Sequence, residues 1–295
     1  MKTITVLIPA YNEEAVLPQL FARLKDLQKT IKKYRLELLF INDGSSDDTL
    51  TMIQREAKKN SSIAYVNLSR NFGKEAGMLA GFDYAKGDAV VIIDADLQDP
   101  PELIVDMYKK SLEGYDIVYG KRLKRDKETM FKKLTAFGFY RVLNYMCNLD
   151  IPKDTGDFRL ITKNVVDVLK NMPEHNRFIR GMVPWVGFKS APVEFNREER
   201  YAGETHYPLK AMLKLATNAI FSFSTKPLVM INYLALFVML LAIYSFLRLN
   251  MLSATILFVG SIQLVAIGVV GAYIGRIYEE AKARPLYTIK DKFNL

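Results

Sequence analysis

The sequence predicts an α/β fold: a mostly parallel sheet with helices on both faces, followed by two membrane-crossing helices. Three observations carry this. Strand-like and helix-like stretches alternate through residues 3–119, the pattern of βαβ units. The polar residues of that region gather in the turns after the strands. Two long uncharged spans, residues 228–247 and 249–275, close the chain, and each can cross about 30 Å of hydrocarbon as a helix.

In order, residues 3–8 (TITVLI) read as a first strand. Met1 to Pro9 is too short for a cleavable signal peptide, and Asn12-Glu13-Glu14 follow at once. The turn Pro9-Ala10-Tyr11-Asn12-Glu13-Glu14 leads to a helix reaching about Lys33. Residues 37–41 (ELLFI) are a second strand. Asn42-Asp43-Gly44-Ser45-Ser46-Asp47-Asp48-Thr49 is a polar turn with capping residues before a helix to about Asn60. Residues 63–68 are a third strand, then Arg70-Asn71-Phe72-Gly73-Lys74 opens a helix to about Tyr84. Residues 116–119 form a further short strand.

The stretch Asp94-Ala95-Asp96-Leu97-Gln98-Asp99-Pro100-Pro101-Glu102 is the centre of the reading. It follows the apolar run 89–93 (AVVII), a buried parallel strand. The prolines stop the strand and open a helix to about Leu112. Asp94 and Asp96 lie two apart at the strand's carboxyl end, so both carboxylates can face one point, at the edge where open α/β sheets bind ligands. With Gln98 they form a hard oxygen set suited to Mg²⁺ or Mn²⁺, which completes its shell with substrate phosphates. The plainer alternative is an Asp-rich turn capping the next helix. The neighbouring loops favour the ligand site. Tyr11, Glu13, Asp43 and Lys74 all sit at carboxyl ends of strands, as a nucleoside-diphosphate site needs. Dinucleotide and P-loop fingerprints are missing from the sequence.

The net charge of +9 admits nucleic acid, an anionic membrane surface or a phosphorylated substrate as partner. No stacking platform or nucleic-acid motif supports the first. One cysteine, Cys147, excludes an intramolecular disulfide and a Cys-based zinc site, and two histidines exclude a His-rich one. Residues 129–148 and 208–223 read as amphipathic, basic helices able to lie on a membrane surface, or as ordinary packed helices. Residues 154–160 (DTGDFRL) read as a polar loop in which Asp157 and Arg159 can face one cleft. Residues 197–207 (REERYAGETHY) form another charged loop. Lys210, Lys214 and Lys226 precede the apolar pair, and Arg276, Lys282 and Arg284 follow it. The positive-inside rule then places residues 1–225 and the tail 277–295 in the cytoplasm, with a hairpin at 226–276. Gly268, Gly271 and Gly275 suit close helix packing, within the chain or between chains.

Five motifs occur in order: Pro9 to Glu14, Asn42 to Ser45, Asp94 to Glu102, Gly156-Asp157-Phe158-Arg159-Leu160, and Arg200 to Tyr207. Together with the hairpin they resemble the inverting GT-A (Rossmann-like, family 2) glycosyltransferases that act on polyprenyl phosphate. That group includes dolichol-phosphate mannose synthases and bacterial undecaprenyl-phosphate glucosyltransferases, and the two terminal spans are most similar to the latter. The resemblance covers essentially the full chain. It implies that Pro9, Tyr11, Glu13 and Asp43 hold the nucleotide, joined by Lys74, Asp94 and Asp96. It implies a metal segment of Asp94, Asp96 and Gln98. Arg122 and Arg200 match basic positions near the phosphates, and Asp157 matches the acidic residue acting at the sugar or acceptor. Asp157, Arg200 and Arg122 are thus the catalytic candidates. Arg122, Arg159, Arg200 and His206 are the acceptor-phosphate candidates. His206 stands where the family often has lysine.

The implied reaction moves a sugar from a nucleoside diphosphate to undecaprenyl phosphate at the plasma membrane, with inversion. UDP-glucose is the favoured donor, before UDP-N-acetylglucosamine and GDP-mannose. The resemblance also implies a homo-oligomer, up to a tetramer. A processive polysaccharide synthase needs more spans and a Gln-x-x-Arg-Trp element, which is missing around Trp185. A membrane-anchored nucleotide-binding scaffold without catalysis is the rival from another class.

Overall fold

The computed structural model describes residues 2–31, 33–123, 155–172, 174–175, 177–196, 224, 226–247 and 252–295. The described strands are β1 (Thr3–Ala10), β2 (Arg35–Asn42), β3 (Ile63–Leu68), β4 (Ala89–Ile92), β5 (Ile117–Arg122), β6 (Thr155–Thr162), β7 (Ser190–Phe195) and β8 (Ile289–Phe293). The helices are α1 (Leu17–Thr30), α2 (Thr49–Lys59), α3 (Lys74–Tyr84), α4 (Ile104–Leu112), α5 (Lys163–Asn171), α6 (Ile179–Trp185), α7 (Lys226–Leu247) and α8 (Leu252–Lys282).

One eight-stranded sheet runs β7-β5-β6-β4-β1-β2-β3-β8. Strands β1 to β4 pair in parallel, and β6 enters antiparallel between β4 and β5. The expected mostly parallel sheet is therefore present. Its first four strands are buried along most of their length because helices cover both faces. Ile4, Val6 and Ile8 of β1 pack with α1, α2 and α4 through Leu20, Ile53 and Met107. Leu7 points the other way, toward Met78 and Phe82 of α3 and Val165 of α5. That alternation follows from the two-residue period of a strand. The chain leaves β1 toward β2 on one side, and β4 lies on the other. The crevice at their carboxyl ends is thus the place where strand order reverses.

Two segments differ from the sequence reading. Residues 154–160 were expected as a loop, but Thr155–Thr162 is strand β6. Phe158 and Leu160 are buried, and the strand is hydrogen-bonded on both sides. Its charged residues concealed a central strand. Residues 277–295 were expected as a tail. Instead they continue α8 to Lys282 and then add β8 antiparallel to β3. Asn67 donates its side-chain amide to Asp291 at 2.5 Å, and Phe293 stacks on Tyr65. The charges of Ile289–Phe293 suit an exposed edge.

Among the described residues, one helix is long and apolar enough to cross a membrane, Phe258–Lys282 within α8, and none of it is buried. Lys226–Leu241 is apolar but shorter, so the structure supports one of the two expected crossings. The expected amphipathic helix 208–223 lies outside the described residues, as does the one at 129–148.

Candidate active site

The loops after β1, β2 and β3 brace one another. Asn12, at φ 55°, accepts the Ser46 N–H on its side-chain oxygen at 2.9 Å, and its own N–H donates to Ser45 Oγ. Glu14 and Asp47 exchange similar bonds with the backbone of Asp48 and Glu14. The Glu13 N–H donates to Thr49 Oγ1 at 2.7 Å. Asp43, almost fully buried, accepts the N–H groups of Phe72 and Gly73 at 2.7 and 2.9 Å. Burial pushes its carboxyl up, against those two N–H groups and Arg70. Gly44 is obligatory here. Its φ is +68°, and a Cβ would stand 2.4 Å from the Arg70 carbonyl carbon. Pro9 is the last but one residue of β1, and Tyr11, just beyond the strand, is exposed.

The loop after β4 alternates. Asp94, Asp96 and Gln98 are partly exposed, while Ala95, Leu97 and Asp99 are buried. Leu97 has φ 60°, an uncommon backbone for leucine, and the Gln98 N–H returns to Asp96 Oδ1 at 3.2 Å. Arg122, at the end of β5, reaches the buried Asp99 at 3.4 Å. Its guanidinium lies against Gly156, where a Cβ would come within 2.8 Å of Nη2.

Beside this loop a charged cluster is centred on Asp157 of β6, which is 5% exposed. Lys74 Nζ lies 2.5 Å from Asp157 Oδ2 and 2.5 Å from Asp94 Oδ1. Arg180 of α6 grips both Asp157 oxygens, Nε at 2.6 Å and Nη2 at 2.9 Å. This fork is the strong form of a charge-assisted bond. Arg159, buried on the same strand, donates to the Gly156 carbonyl at 2.8 Å. Burial alone would raise the Asp157 carboxyl, but Lys74, Arg180 and Arg159 outweigh it and hold it well below the usual carboxylate range. Burial would lower the Lys74 ammonium, but Asp94 and Asp157 raise it instead. Both groups are therefore charged at neutral pH.

The structure thus brings Lys74, Asp94, Asp157 and Arg159 together, with Arg122 against the neighbouring Gly156, and the Asp43 loop frames the crevice. Arg200 and His206 lie outside the described residues. Two participants escaped the sequence reading, Arg180 and its neighbour in space Glu75. The available signal was an isolated charge in the apolar run Phe178-Ile179-Arg180-Gly181-Met182, but its partner is 23 residues away.

Asp94, Asp96 and Gln98 offer oxygen donors of the right hardness for a divalent cation. Among the described residues no three acidic, histidine or cysteine side chains cluster as a protein-only metal cage. The donor set fits a cation that takes its remaining ligands from a bound diphosphate.

The glycosyl transferase family 2 profile matches residues 5–169. The chain is 45% identical to the uncharacterized glycosyltransferase YkcC of Bacillus subtilis strain 168, over 99% of this chain and 94% of that protein. It is 40% identical to the prophage bactoprenol glucosyl transferase homolog of Escherichia coli K12, over 97% of this chain and 98% of that protein. It is also 40% identical to the bactoprenol glucosyl transferase of Shigella phage SfV, over 98% of each. The crystal structure of mannosyl-3-phosphoglycerate synthase from Rubrobacter xylanophilus superposes with a TM-score of 0.51 at 15% identity. It covers 74% of this chain and 72% of that one, a likeness of fold alone.

Proposed function

The chain belongs to glycosyl transferase family 2 and is a glycosyltransferase of GT-A fold, and from that premise we propose that it transfers glucose from UDP-glucose to undecaprenyl phosphate. The names of the Escherichia coli and phage relatives support both the sugar and the polyprenyl class of acceptor. Family membership displaces the non-catalytic scaffold.

The observation that carries the mechanism is the Asp157 cluster. A carboxylate held by Lys74 and Arg180 is a poor proton acceptor. The proposed reaction does not need a good one, because a phosphate monoester has a second pKa of about 6 and is already a nucleophile at neutral pH. Asp157 then acts by position. It orders Lys74 and Arg180 at the crevice, where they meet negative charge on the donor and acceptor. Arg122 and Arg159 stand beside it for the phosphates, with Arg200 and His206 assigned to the acceptor. Pro9, Tyr11, Glu13 and the loop braced by Asp43 take the nucleotide. Mg²⁺ or Mn²⁺ held by Asp94, Asp96 and Gln98 would neutralise charge on the leaving diphosphate. Direct displacement at the anomeric carbon inverts its configuration.

The acceptor is a membrane lipid, and α8 supplies an apolar anchor. We assign α7 as the second crossing, with residues 1–225 and the terminal segment on the cytoplasmic face of the plasma membrane. Gly268, Gly271 and Gly275 have no described atom within 4 Å of their Cβ positions. This face is open to a second copy, consistent with a homo-oligomer up to a tetramer.

The test supplies the full chain in nanodiscs with undecaprenyl phosphate, Mg²⁺ or Mn²⁺, and UDP-glucose, UDP-N-acetylglucosamine or GDP-mannose in turn. The expected result is a β-linked lipid-phosphate glucose, identified by mass and NMR, from UDP-glucose. Product from another donor alone corrects the sugar. No product from any donor overturns the acceptor or donor class.

A further inference from the structure

Lys74 and Glu75 are consecutive in the first turn of α3, yet they serve different neighbours. Lys74 turns to Asp94 and Asp157. Glu75, crowded by protein but not sealed from water, accepts the N–H of Ile179 on Oε2 at 3.1 Å. Ile179 is the first residue of α6 and is 3% exposed. The first N–H groups of a helix have no partner within it. Phe178, at the N-cap, has no side-chain acceptor to supply one, and φ −126°, ψ 87° is its backbone. The acceptor comes instead from 104 residues earlier. The next residue after Ile179 is Arg180, whose fork closes on Asp157. On its other side the segment is tied to α5, since Arg177 donates to the carbonyls of Glu174 and Leu169 at 3.1 and 2.8 Å.

We propose that Glu75 is a positioning residue for glycosyl transfer. Its side-chain oxygen fixes the start of α6 so that Arg180 meets both oxygens of Asp157. Glu75 feels the charges of Asp157 and Arg180, but its hydrogen bond is to the backbone at Ile179, and that bond is the route by which it places Arg180. The reach of the side chain is what matters. Glutamine keeps an acceptor at the same distance, and aspartate keeps the charge but withdraws it by one methylene. The inference rests on the transfer reaction proposed above, and its test separates the two.

The experiment uses the full chain in nanodiscs with UDP-glucose, undecaprenyl phosphate and Mn²⁺. Glu75→Asp is expected to lower kcat by about tenfold or more, with donor KM within about twofold. Glu75→Gln should stay within about threefold of wild type in both. In a cycle with Arg180→Ala, adding Glu75→Asp should bring little further loss, because both changes remove the same grip. An active Glu75→Asp with an inactive Glu75→Gln would make charge the cause and overturn the proposal, as would losses that multiply in the cycle. A second arm does not depend on turnover. The NMR signal of Arg180 Nε–H should exchange slowly in wild type and Glu75→Gln, and rapidly in Glu75→Asp. Equal exchange in all three overturns the positioning role. If wild type turns over no donor, the transfer reading fails, while the exchange arm still decides whether Glu75 holds Arg180.

Discussion

The frame formed by the loops after β1, β2 and β3 and the cluster around Asp157 share one edge of one sheet, but they are held in different ways. The frame is a set of short-range braces. Backbone N–H groups bond to Asn12, Ser45, Thr49 and Asp43, and each such bond is worth about 1 kcal/mol net. The cluster is made of full charges from α3, the loop after β4, β6 and α6, packed around a carboxylate with little access to water. A frame of modest bonds tolerates the loss of one. A set of charges gathered on one buried carboxylate does not, because removing that carboxylate leaves the others uncompensated. The comparison separates binding, which the frame should govern, from turnover, which the cluster should govern.

The largest effect should come from Asp157→Ala. It strips Lys74 and Arg180 of their shared partner, with an expected loss of about 3–5 kcal/mol in stability. Turnover should fall on the order of 10²-fold or more. Chemical denaturation and steady-state assays read the two. If turnover survived, the division between frame and cluster would collapse. In the frame, Gly44→Ala forces a Cβ against the Arg70 backbone at positive φ and should cost about 1–3 kcal/mol. Donor KM should rise while kcat stays nearly level, which isothermal titration with UDP and kinetics together would reveal.

Glu75 gives a smaller effect with a definite sign. Burial, then the charge of Asp157, pushes its carboxyl up to about 7 from an ordinary 4.5. The fold therefore binds this proton more tightly than the unfolded chain does. That contribution to stability is complete below about pH 4.5 and is lost as pH rises through about 7. Glu75→Gln carries no such loss. Its stability relative to wild type should improve by about 2 kcal/mol between pH 5 and 8, measured as a difference in melting temperature. The smallest effect is expected at the surface pair Arg23–Glu102, 2.6 Å apart. Arg23→Ala should cost under about 1 kcal/mol and leave kinetics unchanged.

The frame was legible in the sequence because its parts are local. Asn42-Asp43-Gly44-Ser45 is a strand end, a capping group and a left-handed glycine in consecutive positions. The strand at 63–68 and the helix ending at Tyr84 fall where the apolar pattern sets them. The cluster was half legible. Asp94 and Lys74 each stood at a readable strand or helix end, and Asp157 stood in a motif whose strand was read as a loop. Arg180 and Glu75 acquire meaning only through tertiary placement, one in an apolar run and the other on an ordinary helix. β6 was concealed for a related reason. Its Asp157 and Arg159 look like loop residues until the opposite face, Phe158 and Leu160, is seen packed into the core. β8 carries its charges outward at a sheet edge, where hydrophobic periodicity gives no signal.

The central claim is that Asp157 works by holding Lys74 and Arg180 rather than by taking a proton. Turnover of Asp157→Asn and wild type, measured in parallel from pH 5.5 to 9, tests it most directly. The account predicts a constant ratio across the range, because Asp157 stays ionised throughout and the acceptor titrates identically in both. A defect that closes as pH rises, once the acceptor phosphate is fully ionised, would make Asp157 the base and contradict the account.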